Sequence, residues 1–325
     1  IPLLYDKTWV QTNIESKLLN EFRINLSSSA DVSYRILPAP HFLIKDSKIL
    51  INENEKIKSI ADIKDLKIFL SQKNFFDKNR IKIKKVFIND ANFTLIRNDL
   101  KLINKLTRVN FSNKKIKVNN SNIFFKDNSG DIISIIKIDK TILFFDNKKL
   151  LNLLNLEGEI FNIPFTFDFN FLNDSTQYKE MDFSSKSLQL NIHNKSTIEK
   201  KLTSGENNIS LLKSIINTKY NIQKKLITFE SDNSKLNNSK INYDGEISIN
   251  PFDLKLNINL DRHKISSLFN INPILIEFIQ SGLLFNENIS LNISINTSTN
   301  IKNEIFNEAK INIDIINGKI NLNKT

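Results

Sequence analysis

Along much of the chain, apolar residues fall at every second position and polar or charged residues fill the gaps. The clearest run is FNIPFTFDFNF: Phe161, Ile163, Phe165, Phe167, Phe169 and Phe171 share one parity, and Asn162, Thr166, Asp168 and Asn170 share the other. Successive side chains of a strand point to opposite faces, so this spacing predicts a half-buried β-strand, apolar on one side and wet on the other. The same alternation marks Val32, Tyr34 and Ile36, the stretch from Leu188 to Ile192, and Leu254, Leu256, Ile258 and Leu260. It returns at Ile289, Leu291, Ile293 and Ile295 and at Ile311, Ile313 and Ile315. Further strands are expected over Ile60 to Leu70, Ile81 to Ile88 and Ala91 to Arg97. Strands of a parallel sheet, buried on both faces, read as near-continuous apolar runs separated by helices, so the expected sheet is antiparallel.

The period changes near the start of the chain. Trp9, Val10, Ile14, Leu18 and Phe22 recur at three-to-four spacing, which predicts an amphipathic helix within residues 1–22 that caps the end of a core. Two helical insertions are expected, one around Asn208 to Thr218 with Ile209, Leu212, Ile215 and Ile216, the other over about Lys264 to Phe285 with Pro273 opening a helix. Asn317-Gly318 between two alternating segments reads as a hairpin with a primed turn. GEIFNIPF (Gly158 to Phe165) and GEISINPF (Gly245 to Phe252) carry Gly, Glu, Ile, Pro and Phe at the same spacing and predict one supersecondary unit used twice, with a bulge or bend at Pro251 where the apolar phase flips. The expected architecture is mainly β with a few short helices. It is a long antiparallel sheet curled into an elongated β-groove and capped by the N-terminal helix. The whole of 1–325 reads as a single elongated segment, with a first β-rich part at 23–200 and a second at 201–325, and with more chain expected at both ends.

Composition removes several function classes. Of 325 residues, 40% are hydrophobic and 25% charged, enough to build a core. The net charge of +11 comes from lysines spread along the chain without an arginine cluster or an aromatic RNA-binding signature, so no nucleic-acid partner is expected. With no cysteine there is no disulfide scaffold and no thiolate metal site. His41, His193 and His263 are isolated, and Asp77, Asp90 and Asp99 lack the spacing of a calcium loop. Six glycines form no phosphate-binding pattern. No catalytic residue, metal or cofactor is expected, which leaves the apolar face as the candidate functional surface. A sheet that curls into a trough needs something to fill its lining, and an acyl chain suits, since each methylene kept from water is worth roughly 0.8 kcal/mol.

The N-terminal third carries a resemblance. IPLLYDKTWVQ leads into the first helix, followed by DVSYRILPAPHFLIKDSKI (Asp31 to Ile49) with its Pro-x-Pro element, IADIKDLKIFLS (Ile60 to Ser71) and NFFDKNRIKIKKVFINDANFTLIRND (Asn74 to Asp99). In order and spacing, these and the later Gly-x-x-x-x-x-Pro-Phe strands resemble the AsmA family of Gram-negative envelope proteins. The chain departs from that pattern where the family commonly has Gly after the first helix, here Glu21-Phe22-Arg23, and it lacks the family's Gly-x-x-Asn-Trp element near Asn98 to Leu102. The resemblance implies an inner-membrane helix upstream of Ile1, a periplasmic body, a repeating β-groove, and a role in outer-membrane biogenesis through phospholipid passage between membranes. The groove lining would then be the alternating residues named above, with phospholipid acyl chains as the partner. A non-catalytic β-sandwich that binds envelope partners through its edges is the competing reading, and an outer-membrane β-barrel a third.

Overall fold

The computed structural model describes residues 7–27, 32–53, 56–71, 82–96, 99, 109–127, 129–172, 176–236, 239–249, 251–261, 286–298 and 308–321. Among them the chain is mainly β, with one helix at its N-terminal end and nineteen strands. It divides into two compact units. Unit 1 holds Ile1–Asp174 and Met181–Ser187, and unit 2 holds Ser175–Glu180 and Leu188–Thr325.

In unit 1, α1 (Lys7–Phe22) presents Val10, Ile14, Leu18 and Phe22, four residues apart and all buried. It ends where Arg23 turns to φ 58°, a left-handed position that favours glycine, and the Ile24 N–H reaches back to the Leu18 carbonyl at 3.1 Å. The helix packs toward the β3 end of a sheet built from β3 (His41–Glu53), β4 (Lys56–Leu70), β5 (Ile83–Ile96), β6 (Lys115–Lys126), β7 (Ile132–Asp146), β8 (Leu151–Ile160) and β9 (Ile163–Leu172), paired in chain order. Two short strands share the outer edge of β3: β1 (Asn25–Ser27) pairs with its Lys48–Leu50 stretch and β2 (Val32–Arg35) with its His41–Ile44 stretch. Broken pairing of this kind leaves no long free edge on that side. His41 is buried, stacked on Phe69 with centroids 5.0 Å apart and bonded through Nδ1 to the Ala39 carbonyl at 2.7 Å, a packing histidine.

A line of extra residues crosses this sheet. Asp46, Lys64, Asp90, Asn120 and Asp139 have no partner in the ladders of β3 to β7, while the strands on either side of that line pair in register. Asp46, Asp90 and Asn120 take φ of 50°, 54° and 47°, which Asp and Asn tolerate better than other non-glycine residues. Buried positions therefore step by three at each crossing, Ile63 to Leu66 and Ile88 to Ala91 among them, before alternation resumes. This is why the sequence suggests two strands at 81–97 where the structure has one continuous β5. At β8 the extra residue is missing, and a register shift opposite Asp139 closes the line.

Unit 2 runs through β11 (Leu190–Glu199), β12 (Leu202–Leu211), β13 (Ser214–Gln223), β14 (Leu226–Leu236), β15 (Ser239–Ile249), β16 (Phe252–Asp261), β17 (Ile289–Ser298), β18 (Glu308–Ile316) and β19 (Lys319–Ile320). The intervening β10 (Gln177–Ser185) contributes residues to both units. The expected helix over 208–218 is a hairpin: Ile209 on β12 pairs directly with Ile216 on β13 around a turn at Leu212, φ 55°. The expected helix over 264–285 lies outside the described residues. The sheet is mixed, because β5–β6 and β16–β17 are parallel while the other described pairs are antiparallel. The Asn317-Gly318 turn is as the sequence predicts, with φ of 49° and 72° joining β18 to β19.

The two Gly-Glu-Ile copies both form hairpins, but in different registers. Gly158 pairs with Phe165 around a turn at Phe161-Asn162, and Gly245 pairs with Leu256 around a turn later in the motif, at Pro251. The phase flip at Pro251 is thus the turn itself and not a bulge. Glycine here serves close packing: a Cβ on Gly245 would stand 2.6 Å from the Phe229 ring, and one on Gly205 would stand 2.4 Å from the Tyr220 ring. Tyr220 and Phe229 are cross-strand partners that lean in opposite directions, each covering the glycine beside it.

Candidate functional site

The register of unit 1 arranges the apolar residues in rows that run across the strands. One row is Val32, Ile44, Leu66, Ile88, Val118, Thr141, Leu156 and Phe167, each the direct cross-strand partner of the next. The adjacent row is Tyr34, Phe42, Ile68, Val86, Ile116, Leu143, Leu154 and Phe169. The sequence alone places Val32 and Tyr34 in the same class as Phe167 and Phe169, and the structure sets each pair at the two ends of one row.

Cover changes along these rows. Under α1 the side chains are sealed: Ile44, Ile68 and Val86 are 0% exposed and Leu66 1%. Trp9, Val10 and Ile14 of the helix meet Phe42, Ile68, Leu70 and Ile83 across a small gap. Burial desolvates the Tyr34 hydroxyl and raises its pKa. From β7 onward the same rows are half-buried at Leu143, Leu154, Leu156, Phe167 and Phe169, as are Ile163 and Phe165. The phenyl rings lie along one another, Phe167 on Phe169 at 6.3 Å, Phe169 on Phe171 at 5.2 Å and Phe165 on Phe183 at 5.4 Å between centroids.

Three members of the expected lining fall elsewhere. Ile36 lies past the end of β2 and is 68% exposed, and Phe161 occupies the β8–β9 turn at φ 50°, also 68% exposed. Two-residue hairpin turns need positive φ, and that demand takes Phe161 out of the strand whose parity it shares. Phe171 is sealed at 1% exposure beneath Phe111, whose ring meets it edge-on at 5.2 Å. Beside it Asn152 is fully buried, with Oδ1 accepting from the Phe111 N–H at 2.6 Å and Nδ2 donating to Asn110 and to the Phe171 carbonyl.

In unit 2 the predicted residues again assemble row by row. Leu254, Leu291 and Ile315 form one row, Leu256, Ile293 and Ile313 the next, and Ile258, Ile295 and Ile311 a third. Leu256, Ile258, Ile293, Ile295, Ile311 and Ile313 are half-buried, as are Leu254 and Ile289, whereas Leu260, Leu291 and Ile315 are buried. The first row continues through Ile247, Ile227 and Ile222, which stand outside the clearest alternating runs. Toward β11 that row runs on through Thr203 to Ile198, while farther along the same strands Thr218, Asn207 and Asn194 form a polar row of the same parity and Tyr220 exchanges hydrogen bonds with Asn194. A depression of about 660 Å³ in this unit is lined mainly by polar side chains, among them Lys195, Glu206, Asn208, Asn217 and Asn242.

The opposite face carries cross-strand charge and amide ladders. Lys137 pairs with Glu159 at 2.9 Å and Lys255 with Glu246 at 2.6 Å, the latter contact raising the lysine pKa. Asn122 donates to Asn92 at 3.1 Å and Asn296 to Asn259 at 3.0 Å. His193 stands 3.9 Å from Glu180, and His263 and Asp77 lie outside the described residues. Asp90 sits in the line of extra residues, and Asp99 is buried with its carboxylate on Lys58 at 2.6 Å, so the two acids have separate structural settings.

No protein-family description matches the chain, and no curated protein matches it. Among solved structures, the chain is similar to the "Crystal structure of Sex pheromone staph-cAM373 precursor", with 10% identity over 78% of this chain and 72% of that one and a TM-score of 0.17.

Proposed function

We propose that the apolar rows form a surface that shields phospholipid acyl chains. The chain would be the periplasmic part of an inner-membrane-anchored, AsmA-like protein of the Gram-negative envelope. Its role would be lipid transport between membranes and outer-membrane biogenesis, without catalysis. One observation carries the reading: two registered rows pass from complete burial under α1 to half-burial at Leu156, Phe167, Leu154 and Phe169. A chain of about 16 carbons crossing water bare would cost on the order of 13 kcal/mol at roughly 0.8 kcal/mol per methylene, and a row of aliphatic and phenyl groups removes much of that cost without recognising a headgroup. The order of sequence segments that resembles the AsmA family supports the same assignment.

The test is a photocrosslinking residue placed at Phe167 or at Leu256 in cells, followed by mass spectrometry of the adducts. Phospholipid adducts at both positions are expected. Adducts to this protein's own peptides alone would favour the self-packed sandwich and end the lipid reading.

A further inference from the structure

At one end of the unit 2 strands, two neighbouring hairpin turns each carry a lysine pair. Lys200-Lys201 joins β11 to β12, and Lys224-Lys225 joins β13 to β14. The cross-strand pairs Leu202–Gln223 and Gln223–Leu226 fix the two turns side by side, two strand spacings or roughly 10 Å apart. All four lysines are exposed, and among the described residues none is held in an ion pair. Glu199, Asp253 and Glu287 are acidic side chains at this end of the strands, Glu287 close to Lys319. Lys200, Lys201 and Lys224 take φ of 49°, 101° and 57°, positions where asparagine, plentiful in this chain and used at Asn162 and Asn317, is better tolerated.

Large apolar side chains stand between and beside these turns. Leu202 is 42% exposed, Leu226 41%, Ile249 56% and Phe252 38%. They are contiguous with the lysines, since the Ile249 N–H bonds the Lys225 carbonyl at 3.1 Å and Ile249 pairs with Phe252. A cationic rim interleaved with protruding aliphatic groups matches the boundary of an anionic bilayer, where ammonium groups meet phosphates and apolar groups enter the acyl region. Nucleic acid is the poorer fit, because its phosphates do not reward exposed leucine and isoleucine, and this patch has no arginine for base stacking.

We infer that this strand-end rim of unit 2 docks on an anionic phospholipid surface. The inference stands apart from whether acyl chains enter the apolar rows, because it uses different residues and a different readout. The experiment is flotation of the full chain with phosphatidylcholine vesicles prepared with or without phosphatidylglycerol. Binding is expected only with phosphatidylglycerol and is expected to weaken as salt rises. Replacing Lys200, Lys201, Lys224 and Lys225 together by Gln is expected to lower partitioning at least about tenfold, given on the order of 1 kcal/mol per lysine at such a surface. The fourfold Lys→Arg variant keeps it. The triple variant Lys213→Gln, Lys235→Gln and Lys240→Gln, at the opposite strand ends, also keeps it. Equal loss in that triple variant would mean that bulk charge and not this rim is responsible. Undiminished binding by the fourfold Gln variant, or capture of an oligonucleotide in preference to vesicles, would each overturn the inference.

Discussion

The two ends of a single row in unit 1 make the most instructive contrast in the molecule. Ile44, Leu66, Ile88 and Val118 belong to the buried cluster that includes the α1 face and are sealed, while Leu156 and Phe167, joined to them in register, are half-buried. The strands, parity and residue classes are alike, and only the cover differs. Alternation therefore specifies which face is apolar, and a separate element decides whether that face is core. The cluster closed by this sixteen-residue helix is sealed over β3 to β6 and at Ile138 of β7, and Leu143 and Leu156 only border it.

Three substitutions sharpen or break this contrast. Leu18→Ala removes a fully buried side chain from the helix face and should cost about 3 kcal/mol, read as a lowered urea midpoint, because the covered end cannot collapse around the void. Phe169→Ala in the half-buried part should cost about 1 kcal/mol while sharply reducing lipid adducts at a neighbouring Phe167 probe. A destabilisation as large as that of Leu18→Ala, with no change in adducts, would show the two regions to be equally core. The smallest effect is expected at the β6–β7 turn, where covered and uncovered strands meet. There the Asp127 carboxylate accepts from the Ser129 hydroxyl and from the N–H groups of Asp131, Gly130 and Ser129, which holds its pKa below the usual carboxylate range. A lowered folded-state pKa gives stability that is present above the unfolded-state value and lost as pH falls through the folded one. Asp127→Ala should therefore melt slightly below the parent at neutral pH, and the gap should close in acid.

The sequence was most readable where local period and tertiary placement agree. Val10, Ile14, Leu18 and Phe22 announce α1, and the parity along β9 holds in the structure because Ile163, Phe165, Phe167 and Phe169 all keep one face. It misled at 208–218, where Ile209 and Ile216 imitate helical spacing although they face each other across a hairpin whose Leu212-Lys213 turn carries neither glycine nor asparagine. The parallel pairs were hidden for another reason. β5 and β6 keep a polar face, with Asn92 beside Asn122, and so do not show the two-sided apolar runs by which parallel strands are usually recognised. For the candidate site, membership of the rows could be read from parity, but burial of Phe171 depended on Phe111, far away in sequence, and displacement of Phe161 depended on a turn that needs positive φ.

The line of extra residues across β3 to β7 gives the sheet something like a reading frame. Each strand carries its own inserted position, at Asp46, Lys64, Asp90, Asn120 or Asp139, and the five insertions cancel so long as they occur together. Deleting Asp90 alone would turn Ala91, Phe93 and Leu95 to the wet side while Ile63 and Ser121 kept their places. Single-residue deletions along that line should accordingly be tolerated only as a coordinated set, which makes the shift in phase a property inherited by five strands at once.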